Sequence, residues 1–365
     1  MQTYKLWEIC VIDPAKSLIK DLSDDVEVSF LPMADLSQGK NTFDSNKIKK
    51  LGEVRKWYTY FQDDDVLLAK VSPCFENGKC GVARKLINWI WFGSSEYIVL
   101  RPKENVLSKY IYYIVSSTQF RQEWAKNMSG TVGLQRIKKD WLQNMEILLP
   151  PLATQGAIAD KLDKLQSLIN LKKQAITKND ELAKSIFLEM FGDLRTNEKK
   201  WDKKIFTDVV VLKRWHDLPI QDRMAWEYPV IASTNIVGYH NKYKAEWPWV
   251  VTGRSGTIWE VQYIEWNYWP LNTALYSESL KWNNPIYVAF FLRAFDLNRY
   301  VRWAGVPTLN RNLFNTELVP LPPFPLQQKF ADIIAQIEAQ KSEHKLALAK
   351  LEELYRAEMQ RSFSL

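Results

Sequence analysis

The 365-residue chain is short of the residues that usually carry chemistry. It has three cysteines (Cys10, Cys74, Cys80), three histidines (His216, His240, His344) and 13 glycines, fewer than its 16 tryptophans. An odd, sparse cysteine set excludes a secreted disulfide framework and points to a reducing cytoplasm. The histidines lie far apart, and Cys74 and Cys80 have no second pair, so the spacing of a zinc site is missing. "GRSG" at 253–256 has no Walker lysine, and "GTVG" at 130–133 lacks the third glycine and preceding strand of a dinucleotide fingerprint. "NNPIY" from Asn283 lacks the second proline of an amino-methyltransferase signature and opens an amphipathic run. No two carboxylates are spaced as an acid and base pair. No run reaches the ~18 apolar residues of a membrane span, and "MQTYKLWEIC" has no basic segment leading into an apolar core. These absences argue against a stand-alone enzyme, a metal or cofactor carrier, and a membrane protein.

With 46% hydrophobic and 13% aromatic residues, the chain can bury more than one core, and its length predicts at least two domains. Its net charge of +7 favours a polyanionic partner, since Lys and Arg release counterions from a phosphate backbone. The strongest feature is internal duplication. "LPPLATQGAIADKLDKL" from Leu149 recurs as "LPPFPLQQKFADIIAQI" from Leu321, an offset of 172 residues that also aligns Gln155 with Gln327 and Asp160 with Asp332. After each proline pair come about forty proline-free residues of helix-forming composition. Ile158, Leu162, Leu165, Ile169 and Ile176 form a heptad seam in the first, and Phe330, Ile334, Ile337, Leu348 and Leu351 form one in the second. Each seam has polar gaps, at Lys172 and Asn179 and at Lys341 and His344. A helix of that length spans about 60 Å and needs a partner. A second chain could supply it, but the matched length and register favour the other copy in the same chain.

Globular segments precede both helices. Strand-like alternation in "DVLLAKVSPCF", "EYIVLRP", "YPVIAST" and "PWVVTGR" predicts mixed α/β (α+β) structure. An amphipathic helix is expected from Leu107 and another from Asn284. "GDLRTNEKK" from Gly192 reads as a linker. The expected order is a globule at 1–148, a long helix at 149–192, a second globule at 193–320 and a second long helix at 321–365, the helices pairing antiparallel under an internal pseudo-twofold repeat.

These residues resemble the specificity subunit of a type I restriction-modification system. "VSFLPMADLSQGK", "DVLLAKVSPCFENGKCGVA", "FGSSEYIVLRPK" and "QRIKKDWLQNMEILLPPLATQ" are similar to a first target-recognition domain and the start of a central helix. "DLPIQDRMAWEYPVIASTNIVGYH", "VVTGRSGTIWEVQYI", "GVPTLNRN" and "PLPPFPLQQKFADIIAQIEAQK" are similar to the second domain and distal helix. The resemblance implies a non-catalytic reader of double-stranded DNA, with one globule on each half of an interrupted site. It further implies helices that act as ruler and dock two modification subunits, which carry S-adenosylmethionine and methylate adenine. Motor-nuclease restriction subunits would join for cleavage.

Reading bases requires Arg on guanine and Asn or Gln on adenine. Candidates are Lys70, Asn77 and Lys79 in the first globule, and Arg254, Ser255 and Asn272 in the second. Gln135 with Arg136, and Asn310 with Arg311, sit in matching turns before the helices. Phosphate contact is the alternative role for each Lys or Arg. The chain departs from the family pattern where Trp57, Trp89, Trp91, Trp226, Trp247, Trp249, Trp259, Trp266 and Trp303, with Asp64, stand at usual glycine positions. Glycine takes φ > 0 without strain, so strained turns are expected at these sites. A coiled-coil scaffold for protein partners, with DNA binding weakened by those turns, is the competing reading.

Overall fold

The computed structural model describes the chain except residues 1, 37–46, 85–86, 127, 132–134, 216, 225–226, 234, 247–248, 256–257, 259, 303–306 and 364–365, and the side chains at 18, 249 and 302. The chain divides into two compact units, 1–171 with 348–365, and 172–347. Each unit therefore combines a globular segment with part of each long helix.

In the first unit, the strands Cys10–Ile12, Tyr97–Pro102, Val66–Ala69 and Cys80–Val82 lie in that order across one sheet, all antiparallel. A second sheet orders Ile48–Lys50, Glu27–Leu31, Ile90–Gly93 and Thr59–Gln62, with Glu27–Leu31 parallel to Ile90–Gly93. The second unit repeats this plan. Its sheets order Val211–Arg214, Ala274–Ser279, Trp249–Gly253 and Val261–Ile264, and Asn235–His240, Tyr228–Ala232 and Trp269–Pro270, the last pair again parallel. All four strand-like motifs of the sequence form strands.

The predicted helix from Leu107 is two helices, Ser108–Ser116 and Thr118–Ala125. The break falls at Ser117, whose extended backbone lets its hydroxyl accept from Phe120 N at 3.1 Å and cap the second helix. Their apolar faces, with Ile111, Val115, Phe120 and Trp124, cover Val66, Leu68, Ile98 and Leu100 of the sheet. In the second unit, Pro285–Ala294 does the same against Val250 and Leu275, and ends before Asp296 at φ 56°.

A short antiparallel strand pair leads into each long helix: Gln2–Lys5 with Glu146–Leu149, and Lys203–Ile205 with Leu318–Pro320. The helices are Leu152–Phe191 and Phe324–Phe363. Each carries a buried glutamine that fastens it to its own globular segment. Gln155 Oε1 accepts from Leu107 N at 2.9 Å, and its Nε2 donates to Asn105 O and Pro150 O. Gln327 Oε1 accepts from Asn284 N at 3.0 Å, and its Nε2 donates to Asn283 Oδ1 and Pro322 O. Leu107 and Asn284 are the N-cap residues of equivalent helices, so one clamp occurs twice.

The pairing is antiparallel and lies within the chain: in the second unit Lys172 meets His344, Asp180 meets Lys341, and Phe187 meets Phe330. Along the seam, Leu162, Leu165, Ile169, Phe330, Ile334 and Ile337 are buried, while Ile158, Ile176, Leu348 and Leu351 are half-buried. The polar gaps face one another. Lys172 Nζ lies 3.4 Å from His344 Nδ1, and Lys341 forms an ion pair with Asp180 at 2.5 Å. Asn179 Nδ2 is buried with no partner among the described residues. The first helix ends at Gly192, whose φ of 77° and close approach to the Glu198 and Lys199 side chains require glycine.

The tryptophans divide. Among the described members of the glycine-substituted set, only Trp89 (φ 59°) and Asp64 (φ 66°) have positive φ. Trp91 overturns the turn expectation. It lies within the strand Ile90–Gly93, is buried, and stacks on Phe61 with centroids 5.7 Å apart. Trp249 begins the strand Trp249–Gly253, while Trp57 and Trp266 are exposed at ordinary φ. Trp226, Trp247, Trp259 and Trp303 fall outside the described residues.

Candidate nucleic-acid interface

Each unit places a cation just beyond the end of a central strand. Lys70 follows Val66–Ala69, and Arg254 follows Trp249–Gly253. Backbone bonds fix both in the same way. Lys70 N donates to Glu96 O at 2.9 Å and Arg254 N to Thr273 O at 2.8 Å, while Ile137 N donates to Lys70 O and Leu309 N to Arg254 O. The side chains follow suit: Lys70 Nζ donates to Ser95 O at 2.7 Å, and Arg254 Nη1 to Asn272 O at 3.2 Å. Two sequences with little local identity thus hold a cation against the same backbone carbonyl. This equivalence makes Glu96 the counterpart of Thr273.

In the first unit, the Gln135 and Arg136 turn packs on this point. Val71 bridges Arg136, and Ser72 N donates to Gln135 O at 3.0 Å. Arg136 grips Glu96 with two bonds, Nε to Oε2 at 3.1 Å and Nη2 to Oε1 at 2.8 Å. Those bonds, helped by the charges of Lys70 and Arg136 and opposed by partial burial, hold the Glu96 carboxyl below the usual carboxylate range. Lys70, Gln135 and Arg136 are therefore brought together. Lys79 instead turns its ammonium to Met33 O at 2.8 Å, and Asn77 lines a separate cleft of about 680 Å³ beside Arg121 and Met359.

The second unit gathers Arg254, Ser255 and Asn272. Ser255 bridges Thr308, and Ser233 Oγ donates to Ser255 O at 2.6 Å. Among the described residues Arg254 forms no ion pair. Partial burial, then the like charge of Arg214, lower its pKa from the usual arginine value. A cation held beside a cation favours an electronegative ligand. The next turn holds Asn310, which caps Arg311–Leu313 by accepting from Asn312 N at 3.2 Å, and Arg311, whose Nη1 donates to Leu212 O at 2.9 Å.

The two turns match as regions but not residue for residue. Ile137 and Leu309 make the equivalent bond and are 172 apart, so Arg136 corresponds to Thr308, and Asn310 and Arg311 correspond to Lys138 and Lys139. Sequence reading missed Glu96, Thr273 and Arg214. The segment from Lys70 to Glu96 spans 26 positions, and that from Arg254 to Thr273 spans 19, so no single offset aligns them. Burial pushes the Cys10 and Cys80 thiols up to about 12, so these two stay protonated.

The type I restriction modification DNA specificity domain family matches this chain over residues 1–179 and 198–353. The chain belongs to that family. Among curated relatives, it is 34% identical over 177 residues to the type I restriction enzyme EcoEI specificity subunit of Escherichia coli, covering 48% of this chain and 29% of the relative. It is 35% identical over 163 residues to the EcoAI specificity subunit of the same species, covering 44% and 28%. Each alignment thus spans under a third of the curated relative. The fold is similar to that of the type I restriction-modification S subunit from M. genitalium, with a TM-score of 0.65 at 16% identity over 99% of this chain and 96% of that one. The strand-end cation joins the sheet plan and the glutamine clamp among the features that the two units of this chain hold in common. No helix among the described residues is long and apolar enough to cross a membrane.

Proposed function

We propose that this chain is the non-catalytic sequence reader of a type I restriction-modification complex, recognising a bipartite duplex target with one unit per half-site. The observation that carries this reading is the repeated strand-end cation, Lys70 and Arg254, each on an equivalent carbonyl and each joined by a polar turn. Two similar heads that carry cations and hydrogen-bonding groups, on a chain of net charge +7, suit an interrupted DNA site better than a single small ligand. Lys70, Asn77, Lys79, Gln135, Arg136, Arg254, Ser255, Asn272, Asn310 and Arg311 are the candidate contacts, divided between base edges and phosphates.

The chemistry belongs to partners in this reading. Two modification subunits dock on the long helices and bring S-adenosylmethionine for adenine methylation, and restriction subunits add cleavage. Footprinting the chain with its modification subunits on random duplex tests the idea. Two short protected blocks separated by an unprotected spacer are expected. Uniform protection without preferred sequence, or none, would leave the scaffold reading in its place.

A further inference from the structure

The first unit carries an acidic residue in the middle of a site otherwise built for a polyanion. Glu96 sits between Lys70 and Arg136, with its side chain 27% exposed against 51% for Arg136. The second unit has Thr273 at the equivalent position, so the shared fold does not require a carboxylate there. A negative charge repels DNA phosphates, and its presence needs a compensating role.

The geometry supplies one. Glu96 takes Nε and Nη2, the side-on edge of the Arg136 guanidinium. A guanidinium has five donors in a rigid plane, so fixing that edge aims the end-on edge, formed by Nη1–H and the second Nη2–H. Those two hydrogens have the spacing that meets O6 and N7 of guanine. The Arg136 backbone is itself held, paired with Val71 on one side and Ser129 on the other.

We propose that Glu96 is a specificity-determining positioning residue that orients Arg136 toward a guanine in the half-site read by the first unit. Glu96 raises selectivity at the expense of general affinity, and the second unit, with Thr273 in its place and no acid paired to Arg254 among the described residues, makes the opposite compromise. This inference rests on the DNA-reading function proposed above.

The test uses the full chain with its modification subunits, on the duplex identified by footprinting and on versions carrying 7-deazaguanine at each guanine in turn, which removes N7 alone. The wild-type complex is expected to lose about tenfold in affinity at one guanine of the first half-site. Glu96→Gln should flatten that loss to within about twofold, bind random duplex several-fold more tightly, and leave the second half-site's profile unchanged. Arg136→Lys keeps the charge and loses the fork, so it should flatten the same guanine without the gain on random duplex. A Glu96→Gln complex as sensitive to 7-deazaguanine as the wild type overturns the proposal. Should Glu96→Gln fail to fold, an Arg136→Lys profile identical to wild type at every guanine overturns it instead. A wild-type complex with no sequence-selective footprint refutes the DNA-reading function itself, a result distinct from either.

Discussion

Trp89 and Trp91 lie two positions apart and have opposite effects. Trp89 is 76% exposed at φ 59°, in the left-handed region that costs a side chain on the order of 1–3 kcal/mol. Glycine takes that conformation freely but adds entropy to the unfolded chain, so Trp89→Gly should stabilise the protein by about 1 kcal/mol net. Trp91 is 2% exposed and stacked on Phe61, and Trp91→Gly should cost roughly 3–5 kcal/mol. Thermal or urea unfolding of the two variants gives both signs. Destabilisation by both would show that the Trp89 ring contributes more than its backbone strain. The sequence placed both residues in one class because both stand at usual glycine positions of the family pattern, whereas backbone angle and buried face follow from strand register.

The long helices were legible because duplication, proline pairs and heptads are local patterns, and the structure bears out their pairing. Their chemistry was less legible, since the partners lie nearly two hundred residues apart. Glu358 accepts from Lys161 Nζ at 2.8 Å and from Arg361 Nη2 at 2.7 Å. Burial alone would raise its pKa, but the hydrogen bonds to Lys161 and Arg361 outweigh burial and hold the carboxyl below its ordinary value of 4.5. A depressed carboxylate stabilises the fold above the ordinary pKa, and that contribution disappears as pH falls through the folded value. Glu358→Gln should therefore lower the Tm at pH 7, with the difference from wild type shrinking as pH falls below 4.5. A deficit that stays constant down to about pH 3 would assign the loss to packing rather than charge.

Across the whole molecule, two heads on one plan should act separately. Arg254→Ala is expected to relax discrimination in one half-site by about 1–3 kcal/mol and leave the other untouched, and Lys70→Ala should affect only the opposite half. Competition binding against single-base variants of the footprinted site measures both, and equal weakening on every sequence would assign the residue to phosphate. The regions of these heads were visible as strand ends and turns before the helices, while the partners of their cations were hidden by loops of unequal length. Lys172 and His344 add a consequence of the repeat. They are 172 residues apart, the period of the repeat, so they are the same position of the two copies, and they touch each other. In a dimer of identical half-length chains that position would face itself, lysine against lysine or histidine against histidine. Carrying both copies in one chain lifts that symmetry, so an ammonium can face an imidazole, a mismatched couple that two identical chains could not form.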